Sequence, residues 1–148
     1  MTFFDELITR GVVKDISSPE LKDKLNNESL TFYLGTDPTA DSLHIGHYAS
    51  FVTAKRLALH GHKPIILVGG ATALIGDPTG KSDMRKMLSE EEVTHNKKEV
   101  KELVKRFVRT DGENPAIIVD NATWICDKSY VNFMRDIGVH FNVNNMLN

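Results

Sequence analysis

Apolar and polar positions recur along this chain at two periods, and the changes of period mark its elements. Near the N-terminus Phe3, Phe4, Leu7 and Ile8 recur at helical spacing behind Thr2 and Asp5, a capping box, with Gly11 as the stop. Ser18-Pro19-Glu20 starts a second short helix, with Pro19 at its first helical position, Leu21 and Leu25 as its apolar pair, and Asn26-Asn27 at its end. Thr31, Phe32 and Tyr33 favour a strand that reaches Gly35, and the segment from Asp37 to Ser42 is rich in turn formers. Ile45, Ala49, Val52 and Leu59 mark a helix to about His60, stopped by Gly61. Ile65 to Val68 is a continuous apolar run, which suits a parallel strand covered on both faces.

Ser89-Glu90-Glu91-Glu92 is another capping box. It opens a helix with Val93, Val100, Leu103, Val104, Phe107 and Val108 on one face, and Glu102 and Arg106 paired four apart outside. Asp111 to Pro115 breaks that helix, Ala116 to Val119 forms a third strand, and Trp124 falls in the loop beyond, where packing is its expected role. Tyr130 to Ile137 predicts a last helix, closed by Gly138. Strand, helix and strand within about 40 residues make a βαβ unit. The expected fold is therefore α/β, a Rossmann-like doubly wound parallel sheet. Such a sheet normally needs more strands than these, so it is expected to be incomplete, an N-terminal piece of a larger domain.

Composition narrows the class. Of 148 residues 41% are hydrophobic and 26% charged, as in a soluble globular protein. A net charge of −2 gives no global basic footprint for nucleic acid, although local contacts stay open. The single cysteine, Cys126, forbids an intramolecular disulfide and a multi-cysteine zinc site, and fits a reducing, cytoplasmic compartment. Asp5 and Glu6 directly after Phe3 and Phe4 argue against a signal peptide, and no apolar run approaches the ~20 residues of a membrane span.

The chemistry concentrates between Thr31 and His47. Strand, turn and helix start follow in that order, and a helix N-terminus offers unpaired N–H groups and partial positive charge to a phosphate. His44 and His47 are expected in the first helical turn, with Gly46 between them leaving room for a flat ligand against the backbone. Taken alone, His-x-x-His favours ordinary surface or core histidines; zinc lacks a third ligand nearby. A second cluster, Gly76-Asp77-Pro78-Thr79-Gly80-Lys81, follows the second strand. It misses the phosphate-loop pattern because residue 75 is Ile where that pattern needs Gly. A Gly-Lys loop bearing Lys81 and Arg85 remains, against the plainer reading of solvated surface charges. Tyr33 is either a core tyrosine or a donor to a ligand hydroxyl. Asp77 is either a turn former before Pro78 or a partner for a ligand ammonium. His60, His62, His95 and His140 are taken as surface or structural.

His44-Ile45-Gly46-His47 resembles the His-Ile-Gly-His signature of class I aminoacyl-tRNA synthetases. The longer strings GTDPTADSLHIGH and LVGGATALIGDPTGK are similar to the tyrosine-specific branch of that family. The resemblance implies N-terminal helices over residues 1–30, and over 31–148 the N-terminal portion of a nucleotide-binding catalytic domain. It implies L-tyrosine, ATP and tRNA(Tyr) as partners, Mg²⁺ arriving with ATP, no tightly bound cofactor and no resident metal. A homodimer is implied for the full-length protein, with residues 125–148 near the interface. Carried over by position, Tyr33 meets the tyrosine phenol and Asp77 its ammonium group. Gly35 and Asp37 lie along the adenylate, Gly46 faces adenine, and His47 and Ser50 lie by the ribose. Thr39 and His44 hold the departing phosphate, and Lys81 and Arg85 clamp pyrophosphate. Leu34 stands where the family often has Cys, and Ser50 where Thr is common. The Lys-Met-Ser-Lys-Ser loop and anticodon domain are expected beyond residue 148, so little aminoacylation is expected of these residues alone.

Three other readings stay open. A small nucleotidylyltransferase shares the Gly-x-Asp-Pro…Gly-His turn, but there the turn follows the first strand near the N-terminus. A tryptophan-specific synthetase lacks the Asp-Pro-Thr-Ala-Asp-Ser string. The non-catalytic reading is a fragment that binds ATP or tyrosine weakly.

Overall fold

The computed structural model describes residues 1–76 and 87–147. Three parallel strands, β1 (Thr31–Thr36), β2 (Lys63–Val68) and β3 (Ile117–Asp120), lie in the order β1–β2–β3. Helix α1 (Phe3–Thr9) and helix α2 (Glu20–Asn27) precede the sheet, α3 (Ile45–Leu59) joins β1 to β2, and α4 (Gly70–Ile75) and α5 (Glu90–Val104) lie between β2 and β3. Beyond β3 come α6 (Ala122–Ile125), α7 (Tyr130–Asp136), a 3-10 turn (Gly138–His140) and α8 (Val143–Met146). No helix among the described residues is long and apolar enough to cross a membrane.

The strand register sorts side chains onto two faces. Leu34, Ile66 and Ile118 stand in one row, and the core forms there: Ile66 packs with Phe51 and Ala54 of α3 and with Val100 and Val104 of α5. Tyr33, Ile65 and Ile117 form the matching row on the opposite face, where Tyr33 is 75% and Ile117 58% exposed. The described helices therefore cover the second face less than the first, with Ile65, Leu67 and Val119 partly buried, although the apolar run of β2 predicts cover on both.

Several local expectations change. The buried face of α3 is carried by Phe51 and Ala54, while Ile45 and Leu59 are 80% and 76% exposed. This helix is apolar on most sides, so its pattern does not single out the buried one. Glu102 pairs with Lys105, not Arg106, because α5 ends at Val104 and Arg106 lies past the cap. Pro19 is the cap residue of α2 rather than its first helical residue, a shift of one position. Gly69 caps the short helix α4, in a segment with no predicted helix. Trp124 lies on the short helix α6 rather than in a loop, and is 47% exposed.

Candidate functional site

The register brings Thr36, Val68 and Asp120 level, so all three strands end together. Gly69 N–H donates to Thr36 O at 2.9 Å and Asn121 N–H to Val68 O at 3.1 Å, which carries the ladder one step past the strand ends. Each strand then turns away in a polar segment, and the three segments meet. The Thr72 hydroxyl donates to Asp37 Oδ1 at 2.6 Å and accepts from Asn121 Nδ2 at 3.2 Å. Asn121 Oδ1 in turn accepts from Ala71 N–H at 2.8 Å.

The two glycines that open α4 make this meeting possible. A Cβ on Gly69 would fall 1.8 Å from Asp37 Oδ1, and one on Gly70 would fall 2.4 Å from Asp120 Oδ1. Either contact is far inside van der Waals distance, so the carboxylates of the flanking loops occupy the space that side chains would need. Burial raises the Asp120 carboxyl, but the Ala122 N–H, Lys97 at 3.0 Å and Lys101 at 3.5 Å outweigh it and hold it below 3.8. Asn96, one residue before Lys97, donates to Pro38 O at 3.2 Å and is buried.

The two imidazoles stand at the start of α3. His44 is the N-cap, one residue outside the helix, and His47 is the third helical residue. His44 Nδ1 accepts from Gly46 N–H at 3.1 Å, and His47 Nδ1 accepts from His44 N–H at 3.3 Å. Both rings thus act as a capping box, with centroids 3.9 Å apart. A ring nitrogen that accepts from an amide carries no proton, so each ring holds its proton on Nε2 and has an N–H donor to offer. Burial lowers the His47 pKa below 6.5, with His44 adding to the effect, so that ring is neutral at pH 7. A Cβ on Gly46 would meet His44 Cε1 at 3.0 Å; the glycine makes room for the capping ring as well as for any approaching ligand. His44 also borders an open, mainly apolar groove of about 330 Å³ with Leu43, Ile45, Tyr48 and Phe107.

The sequence-derived site residues therefore fall into groups. Gly35 and Tyr33 lie on the less covered sheet face, and Asp37 and Thr39 form the turn that leaves it, with Thr39 N–H donating to Asp37 O at 2.9 Å. His44, Gly46, His47 and Ser50 form the helix start, where Ser50 donates to Gly46 O at 3.4 Å. Among the described residues no hydrogen bond joins the histidines to Asp37 or Tyr33. Asp77, Lys81 and Arg85 lie outside the described residues. Thr72, Asn96, Lys97, Asp120 and Asn121 were not singled out from the sequence. The available signals were Asp-Asn closing an apolar strand, and Asn96 at a helix position flanked at helical spacing by the buried Val93 and Val100.

Parallel strands whose ends converge on glycine turns beside a helix N-terminus define the open α/β class that binds ligands outside its strand ends. Within that class, the chain belongs to the class I tRNA synthetases for tryptophan and tyrosine, whose family model matches residues 25–148. It is 49% identical over 144 residues to the tyrosine–tRNA ligase of Clostridium botulinum strain Eklund 17B, covering 97% of this chain and 35% of that protein. It is 50% identical over 145 residues to the Clostridium kluyveri ligase, covering 97% of this chain and 36% of that one. The C-terminally truncated mitochondrial tyrosyl-tRNA synthetase of Aspergillus nidulans superposes with a TM-score of 0.80 at 26% identity, over 99% of this chain and 44% of that chain. The chain thus spans about a third of the length of the curated relatives it matches.

Proposed function

We propose that this chain forms part of a cytoplasmic tyrosine–tRNA ligase, which activates L-tyrosine with ATP and passes the tyrosyl group to tRNA(Tyr). In the first step a tyrosine carboxylate oxygen bonds to the α-phosphorus. The bond from that phosphorus to the oxygen bridging to the β-phosphate breaks, and pyrophosphate leaves with the electron pair. No covalent enzyme intermediate is needed, so positioning and charge stabilisation carry the catalysis. Tyr33 would bind the phenol and Asp77 the ammonium group; Gly35, Asp37, Gly46, His47 and Ser50 would line the adenylate. Thr39 and His44, with Lys81 and Arg85, would neutralise the departing pyrophosphate. Mg²⁺ would arrive on the ATP phosphates.

The observation that carries this reading is the double-imidazole cap, which leaves two Nε2–H donors at a helix N-terminus. A homodimer is supported by the run of exposed apolar residues from Tyr130 to Leu147. The test is pyrophosphate exchange into ATP by the full-length polypeptide. Exchange that depends on tyrosine is expected, and exchange that depends on tryptophan instead, or on neither, would refute the assignment.

A further inference from the structure

We infer that Asn96 is a positioning residue for the activation reaction, holding the Asp37–Thr39 turn through the Pro38 carbonyl. The inference rests on the functional reading above and adds a residue that reading leaves out. Asn96 sits at mid-helix in α5, at a position whose neighbours one turn away, Val93 and Val100, are in the core. A polar side chain there needs a reason, because burying an amide without a partner is costly. Its partner is Pro38 O, 58 residues earlier in the chain. Pro38 is itself fully buried, so its carbonyl has little access to water, and among the described residues its hydrogen bond comes from that amide.

The consequence reaches the site because the turn is short. Thr39 N–H closes on Asp37 O at 2.9 Å, so shifting Pro38 shifts the residues on both sides. Thr72 grips the same turn from α4 through the Asp37 carboxylate at 2.6 Å. The turn is thus clamped at its side chain by α4 and at its backbone by α5. Lys97, the next residue, points about 100° around the helix and reaches Asp120 at 3.0 Å at the end of β3. One turn of α5 therefore ties the exits of both outer strands, across the β2 exit between them. A clamp on backbone that faces a reacting phosphate acts on the rate more than on tyrosine affinity, because misplacement by about 1 Å can cost about 100-fold.

The test uses Asn96→Asp, which keeps the shape and removes the donor, and Asn96→Leu, which keeps an apolar volume. In the full-length polypeptide both are expected to lower kcat for tyrosine-dependent pyrophosphate exchange by about 10- to 100-fold, with the KM for tyrosine moving less than about twofold. A kcat within about twofold of wild type, with only the melting temperature lowered, would make Asn96 a packing residue and overturn the inference. In parallel, NMR of the 148-residue chain measures the coupling across the hydrogen bond between Asn96 Nδ2 and the Pro38 carbonyl carbon. It also follows the Asp37 and Thr39 amides in the variants, which should shift while Leu30 and Lys63 at the other end of the sheet stay in place. If neither variant folds, the wild-type coupling decides: its presence supports the clamp and its absence sinks it. If the wild-type enzyme shows no tyrosine-dependent exchange, the functional reading fails, and the NMR result still decides whether Asn96 sets the turn.

Discussion

The two ends of this sheet are finished by different means. At the amino end, side chains satisfy backbone groups and stop there. Leu30 N–H donates to His62 Nδ1 at 3.3 Å, Ser29 Oγ donates to Gly61 O at 2.7 Å, and Asn114 Nδ2 donates to His62 O at 2.9 Å. Phe3 of α1 stacks on His60 at 3.7 Å and covers the result. At the carboxyl end, side chains bind one another as well: Asp37, Thr72 and Asn121 form one chain, and Lys97 and Asp120 a pair. The first arrangement only closes a fold. The second holds the Asp37 turn in a fixed position while leaving Asp37 and Thr39 exposed. Fixed, exposed polar groups are what a charge-stabilising site requires, since the cost of orienting them is met during folding.

That contrast can be broken by separating activity from stability at each end. The largest effect is expected for His44→Asn. Asparagine is itself a good N-cap, so the helix start and the melting temperature should hold. Loss of the Nε2–H donor should lower pyrophosphate exchange by the full-length polypeptide about 100-fold. Parallel loss of stability and rate would mean that the ring serves as a cap alone.

Asn114→Ala is the counterpart at the amino end. It removes the donor to the Ala58 and His62 carbonyls, and chemical denaturation should show a loss of about 1–3 kcal/mol. Exchange by the folded enzyme should be unchanged; a fall in kcat would show that the amino end also shapes the site.

The smallest effect sharpens the same point through pH. His62 is 1% exposed, with Nδ1 already accepting and Nε2 without a hydrogen bond of good geometry among the described residues. Burial lowers its pKa below 6.5, the Leu25 backbone offsets part of this, and His60 adds to the lowering. The unfolded chain therefore takes up this proton at higher pH than the folded chain. The stability from burying the neutral ring is whole above about pH 6.5 and is lost as pH falls below it. Melting temperatures between about pH 5 and pH 7 should slope less in His62→Gln than in wild type. Equal slopes would mean that the buried imidazole is not the proton acceptor.

Legibility in the sequence follows locality. Capping boxes at Thr2 and Ser89 and the stop at Gly11 lie within a few residues of one another, and all three form as read. The His44–His47 pair was legible for the same reason, although its use as a cap was not. The pattern of α3 failed to give its buried face because nearly every side offers an apolar residue. Asn96 could be read as a polar residue on an apolar stripe, but its partner could not, because that is a carbonyl 58 residues away.

The amino-acid order by itself determined where the three strands and the longer helices begin, which turns carry glycine, and which family the chain joins, because each depends on neighbours in the chain. Only the folded arrangement decided that Asp37, Thr72 and Asn121 share one network, that α5 reaches both outer strand ends, and that one sheet face is covered less than the other. Those outcomes depend on strand register and on helix placement, which bring together groups tens of residues apart and leave no mark in any short stretch of sequence.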